Sequence, residues 1–240
     1  MDNSAEMNSP TLSYKNHRFP PQIIARAIWL YFRFPLSLRL VEEMLLERGI
    51  VVSCETIRRW SRKFGAADVK QLRRRKPSRK DIWHLDEVVI SIGGRKHWLW
   101  RAVDQDGYVL DEIVQARRDT NAAKRLLVRL LKKQALMPKR IVTDKPRSYG
   151  AAKTGRDARC RTSIAQGSER SGGEFSRATS KTRTDDAGIS ICRGLQRFVA
   201  VFSAVRNLFV APQQKRSALA THIHRIRAMA QWKAVTGAAV

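Results

Sequence analysis

Apolar residues in the first quarter of the chain recur at helical spacing. After Pro20-Pro21, a pair that suits a helix start, Ile23, Ile24, Ala27, Ile28 and Tyr31 form one stripe, and Pro35 stops it. A second helix is expected over 37–48, with Leu38, Val41, Met44 and Leu45 turned inward and Gly49 as its C-terminal cap. Ser53 is a good N-cap for a third helix over 54–64. Its Ile57, Trp60 and Phe64 face inward, while Arg58, Arg59, Arg62 and Lys63 point away. Residues 1–19 are polar and read as a mobile arm. From residue 82 the pattern changes to strands: 82–92 with Asp86 in its middle, a Gly93-Gly94 turn, 96–103 with Trp98, Trp100 and Ala102 on one face, an Asp106-Gly107 turn, and 108–114. A helix from about Asp119, with Ala123, Leu126, Leu127, Leu130 and Leu131 on one face, leads to a fourth strand over 140–144 that ends on Asp144. Because a helix separates it from the third strand, the fourth is expected beside the first and parallel to it. Near the end, Phe198, Phe202, Val205 and Phe209, then Leu219, Ile223, Ile226 and Ala230, predict two helices that pack on the sheet.

Charge narrows the partners. The 240 residues carry a formal net charge of +26, the footprint of a polyanion binder, with nucleic acid ahead of an anionic membrane surface. The basic residues are spread through the chain rather than gathered beside a lipid anchor, and no run approaches the roughly 18 apolar residues of a membrane span. The start lacks the basic and apolar regions of a secretory signal. Cys54, Cys160 and Cys192 are odd in number and far apart, which excludes a disulfide framework and fits a reducing cytoplasm.

Three antiparallel strands, a crossover helix and a further strand is the order of a ribonuclease H-like fold. The expected class is therefore α/β: an all-α helix-turn-helix domain over 1–77, then a ribonuclease H-like domain over 78–240. In the first, helix 54–64 is the candidate DNA reader through Arg58, Arg59, Arg62 and Lys63; a plain three-helix bundle with a solvated basic face is the alternative. Residues 68–80, crowded with Arg73, Arg74, Arg75 and other basic residues, read as a linker that contacts phosphate without reading bases. In the second domain, charged residues are rarely buried unless paired or bound to metal, so Asp86 and Asp144 on two apolar strands suggest a shared divalent ion. Two such ions activate the attacking oxygen and stabilise the leaving one at a phosphodiester, and carboxylates suit magnesium. Lys145 and Arg147 stand where they could hold phosphate; solvated charges after a strand are an equal alternative. Glu87 alternates to the other face of its strand, and Asp104 and Asp106 are more often turn residues.

His84-Leu85-Asp86-Glu87, Trp98-Leu99-Trp100-Arg101-Ala102-Val103-Asp104 and Thr143-Asp144-Lys145-Pro146-Arg147-Ser148-Tyr149 together resemble bacterial insertion-sequence transposases of the DDE type, in the insertion-sequence-six group. The resemblance covers nearly all of 20–153 and resumes near Gly194; Pro146 replaces a leucine of related enzymes. It implies an N-terminal helix-turn-helix, two Mg2+ ions, binding of double-stranded DNA at terminal inverted repeats and target, strand transfer, and a homo-oligomer on DNA at the nucleoid.

The implied third carboxylate follows Asp144 by thirty residues or somewhat more, on a helix. Yet in 154–193 Gly, Ser, Thr and Arg dominate, no helical stripe runs, and the composition reads as disorder. Residues 171–176, Ser-Gly-Gly-Glu-Phe-Ser, can be encoded so that a shift of one nucleotide reads Arg-Ala-Glu-Asn-Ser, like the family's glutamate motif. A compensated frameshift then leaves Glu174 near the third position by accident, in a copy that binds DNA and transposes poorly or only represses. Alternatively 154–193 is a genuine flexible insertion with Glu174 as the working ligand.

Overall fold

A computed structural model describes residues 14–34, 36–67, 72, 81–92, 94–118, 120–134, 138–143, 161–164, 188–211 and 217–238. Three helices come first. α1 (Pro21–Arg33) has proline at its first position and buries Ile24, Ala25, Ala27, Ile28, Leu30 and Phe32. That is more than a single stripe, because neighbouring helices cover it on more than one side. α2 (Leu38–Leu46) starts on the Ser37 hydroxyl, which accepts from the Leu40 N–H, and buries Val41 and Leu45. Met44, expected inside, is 43% exposed: no described residue covers that edge of α2. Gly49 turns the chain at φ +71°, a backbone state that costs glycine little. α3 (Cys54–Lys63) is capped by Ser53, whose hydroxyl accepts from the Thr56 N–H, and packs through Ile57 and Trp60.

The arm is anchored where it is described, contrary to expectation. The Tyr14 ring stacks on Phe64 with centroids 4.7 Å apart, and its hydroxyl donates to the Thr236 carbonyl at 2.7 Å. Residues 1–13 of the arm lie outside the described residues, as does 68–80 apart from Leu72, which is buried in the core beside these helices.

β1 (Ile82–Ile92), β2 (Arg95–Asp104) and β3 (Val109–Gln115) form an antiparallel meander. Asp104 seats the second turn by accepting from the Asp106 and Tyr108 N–H groups, each at 2.9 Å. α4 (Thr120–Gln134) crosses over, and β4 (Arg140–Thr143) returns parallel to β1, in the register Ile82↔Arg140 to Leu85↔Thr143. β5 (Arg161–Ile164) adds a further parallel strand, so the order is β3-β2-β1-β4-β5, a ribonuclease H-like sheet. Two helices follow, α5 (Gly188–Phe209) and α6 (Ala218–Val235). β5 and the first turns of α5 correct the expectation that 154–193 holds no regular structure; the rest of that stretch lies outside the described residues. Among the described residues, no helix is long and apolar enough to cross a membrane.

The sheet is covered on both faces. Trp83, Leu85, Trp100 and Ala102 meet Ala122, Leu126, Leu127 and Leu130 of α4. On the other face Ile90, Ile92, Leu99 and Val114 join Val199, Phe202 and Val205 of α5, and the same cluster continues into α1–α3 and to Ala228 and Trp232 of α6. α6 therefore packs through Ala228 and Trp232, and the expected stripe is on its outside: Leu219 is 67% and Ile226 57% exposed.

α5 is also tied to the end of the sheet by polar side chains. β3 ends the strand order, so one row of its backbone groups has no strand beside it among the described residues. Asn207 supplies both missing partners of Val109, its Oδ1 accepting from the N–H at 2.9 Å and its Nδ2 donating to the carbonyl at 2.8 Å. About three turns of helix earlier, Gln196 accepts from the Val114 N–H at 2.8 Å and donates to the Glu112 carbonyl at 3.2 Å. Asn207→Ala leaves two buried backbone groups unpartnered; a loss of about 2–4 kcal/mol in urea unfolding is expected. A change below about 0.5 kcal/mol would mean that water replaces the amide.

Candidate active site

Asp86 lies at the middle of β1, on the face that carries Ile90 and Ile92 toward α5. Its neighbour in sequence, Glu87, is on the α4 face. The two consecutive carboxylates are handled in opposite ways. Glu87 has a side chain only 2% exposed, and Arg118 reaches it from outside at 2.9 Å and 3.2 Å, with its own side chain 55% exposed. Asp86 is 39% exposed, and its partner Arg101 is inside, 4% exposed, donating to Oδ2 at 3.1 Å.

Arg101 stands directly across from Asp86 on β2, and Glu112 directly across from Arg101 on β3. The three side chains thus form one row on the α5 face. Ser203 of α5 closes the row by donating to Glu112 Oε2 at 2.9 Å. Burial pushes the Glu112 carboxyl up to about 8, a shift that the Ser203 hydrogen bond and the Arg101 charge oppose. Desolvation lowers the His84 imidazole, two residues before Asp86 on the same face, against an opposing pull from Asp104.

Asp86 is the one expected carboxylate ligand among the described residues. Asp144, Glu174, Lys145, Arg147, Arg73, Arg74 and Arg75 lie outside them. Thr143, the residue before Asp144, pairs with Leu85, the residue before Asp86. Among the described residues no three His, Cys, Asp or Glu side chains gather as a metal site. The chemistry of Asp86 still fits a hard cation: an oxygen donor at the protein surface, beside the end of the parallel pair.

The basic side chains of α3 are at the surface, as expected. Arg59 is 78% exposed, and Arg62 and Lys63 are exposed as well. Glu55 in the first turn engages two of them, Arg58 at 2.8 Å and Arg59 at 3.8 Å. Lys63 lies over the Phe64 ring, its Nζ 5.2 Å from the centroid.

Sequence reasoning missed Arg101, Glu112 and Arg118 as parts of this region. The signal for Arg101 was legible: a cation in the middle of an apolar strand, between Trp100 and Ala102, needs a buried partner. Glu112 and Arg118 gave less away, because a short edge strand and a loop tolerate charge.

The site thus rests on a ribonuclease H-like sheet with an acidic residue at the centre of its first strand. The family model described as a DDE domain (DDE_Tnp_IS240) matches residues 80–211, more than half of the chain. The transposase for the insertion sequence-like element IS431mec of Staphylococcus aureus strain Mu50 is 30% identical over 139 residues, 58% of this chain and 62% of that protein. The Staphylococcus aureus transposase for insertion sequence element IS257 in transposon Tn4003 gives the same identity over the same shares. The chain belongs to the DDE transposases of the insertion-sequence-six group, and it matches 62% of the length of these curated relatives. Among solved structures, the HTLV-2 integrase catalytic core domain in complex with magnesium is 15% identical, with a TM-score of 0.36 over 60% of this chain and 93% of that one. The simian T-cell lymphotropic virus intasome in complex with the PP2A regulatory subunit B56 gamma is 16% identical, with a TM-score of 0.41 over 77% of this chain and 65% of that one.

The pH dependence of stability follows from Glu112. In the unfolded chain this carboxyl ionises near its ordinary value of 4.5, whereas in the fold it keeps its proton up to about 8. The unfolded state therefore sheds a proton that the folded state retains, and stability falls as pH rises between those values. Glu112→Gln removes that dependence. Its melting temperature is expected to gain on that of the wild type as pH rises through this window; parallel curves would mean that Glu112 is ionised in the fold.

Proposed function

We propose that this chain is an insertion-sequence transposase that binds double-stranded DNA at terminal inverted repeats, with a catalytic centre built on Asp86 and Asp144. The observation that carries the reading is the parallel register of β1 and β4. Leu85 pairs with Thr143, and in sequence each is followed by an aspartate. Neighbouring strands are about 4.8 Å apart, a spacing at which two carboxylates can share one ion. Asp86 and Asp144 would hold Mg2+, with two ions expected by analogy with the family and Glu174 the candidate third ligand. When bound, magnesium supplies Lewis-acid activation at the phosphodiester. The protein's own part is to orient the carboxylates and hold the DNA backbone, the latter through Lys145 and Arg147 beside the centre.

DNA binding is assigned to α3, in a helix-turn-helix formed with α2, through Arg58, Arg59, Arg62 and Lys63, with Arg73, Arg74 and Arg75 on adjacent phosphates. The net charge of +26 and the exposure of this face support that assignment. Two DNA ends are joined in one event, so a homo-oligomer on DNA is expected, in the cytoplasm at the nucleoid. Glu174 lacks the flanking Arg-Ala and Asn-Ser of the family's glutamate motif, so this copy is proposed to bind DNA and to join strands poorly, as a remnant that occupies terminal repeats would.

A gel shift and a strand-transfer assay on inverted-repeat duplex test both halves. Arg59→Ala and Arg62→Ala are each expected to weaken binding at all sequences alike and to reduce the salt slope by about one. Unchanged binding in both would remove α3 from the interface. Magnesium-dependent joining is expected to be weak or absent. Robust joining that is lost on Glu174→Ala would instead make 154–193 a genuine insertion with a working third ligand.

A further inference from the structure

We propose that Arg101 is the positioning residue of Asp86, a guanidinium built into the sheet behind the carboxylate that fixes its orientation before a divalent ion arrives. This rests on the reading of Asp86 as a metal ligand and adds to it a residue that the metal itself never touches.

The two carboxylate–arginine pairs on β1 make the case by contrast. Around Glu87 the acid is inside and the arginine outside, with side-chain exposures of 2% and 55%. There the arginine caps a buried acid from the solvent side. Around Asp86 the order is inverted: the arginine is inside at 4% and the acid faces out at 39%. A half-exposed aspartate can be hydrated by water and needs no buried cation for its own sake. Burying a guanidinium costs several kcal/mol of desolvation, and an ion pair rarely outdoes apolar side chains of similar volume in stability. What an arginine adds is geometry. Its rigid, planar guanidinium brings Nη2 to Asp86 Oδ2 from one fixed direction, at 3.1 Å, which the rotatable ammonium of lysine does not.

The strand position of the arginine is itself fixed. Arg101 lies between Leu99 and Val103 on the strand face covered by α5, with Glu112 directly across from it on β3. Glu112 takes the Ser203 hydroxyl at 2.9 Å, and Gln196 and Asn207 fix the same helix to the same strand on either side of Ser203. The orientation of Asp86 is thereby tied, through two strands, to the seating of α5. Partners that orient a metal ligand in this way commonly change metal affinity by about 10–100-fold when removed.

The test uses the full chain and Mn2+ as the probe, with binding read by the loss of the free-ion paramagnetic resonance signal and by the rise in melting temperature with added metal. Wild type, Asp86→Asn, Arg101→Lys and Arg101→Met are compared. Asp86→Asn is expected to abolish binding. If wild type and Asp86→Asn bind alike, or neither binds, the metal-ligand reading of Asp86 fails and the role of Arg101 falls with it. Given loss in Asp86→Asn, Arg101→Lys is expected to keep the metal-free melting temperature close to that of wild type and to weaken Mn2+ by about 10-fold or more. Arg101→Met should weaken it at least as much. Should Arg101→Met fail to fold, Arg101→Lys decides. A folded Arg101→Lys that binds Mn2+ as tightly as wild type, or more tightly, overturns the proposal while leaving Asp86 in place.

Discussion

Side chains alternate between the two faces of a strand, and β1 carries two carboxylates in succession. Asp86 and Glu87 therefore stand on opposite sides of the sheet, and each meets an arginine from a different part of the chain. Glu87 draws Arg118 across from the loop before α4. Asp86 draws Arg101 from the next strand, and that arginine brings Glu112 and Ser203 into the same row. The antiparallel register of β1, β2 and β3 satisfies these demands only as it stands. A slip by one residue would turn Arg101 to the α4 face and leave Asp86 opposite an apolar side chain. The polar row is thus part of what specifies the sheet.

α5 completes the arrangement from the sheet's end. Its apolar face, through Val199, Phe202 and Val205, lies on the same cluster as the N-terminal helices, while Gln196, Ser203 and Asn207 address β3. Apolar packing alone would let a helix slide by a turn along a sheet. Asn207 and Gln196, each engaging backbone groups of β3, set both its height and its rotation.

Much of this was readable from periodicity, because the elements that bury most are the ones whose pattern is strongest. The meander, the crossover helix and the parallel return of 140–143 follow from alternating runs, two glycine turns and a leucine-rich helix. The failures have physical causes. β5 reads Arg-Thr-Ser-Ile and offers a single large apolar residue, too little for a pattern. Leu219 and Ile226 have helical spacing, but a small patch around Ala228 and Trp232 proved the better fit to the core, and small residues leave no trace in a hydrophobic stripe. Asp86 was legible because an acid in an apolar run stands out. Its arginine stands out in the same way, but that the two pair depends on register between strands, which the spacing of one strand alone does not fix.

The anchoring of Tyr14 has a consequence for how the molecule is put together. Its ring lies on Phe64 at the end of α3, and its hydroxyl is bound to Thr236 at the end of α6. Leu72 sinks into the same apolar floor. The two ends of the described chain are therefore clasped over the tip of α3, and that helix rides on the body of the sheet rather than on a tether. The basic side of α3 thus stands at a set offset from Asp86, like a mark on a ruler, and the protein's interior packing fixes that length.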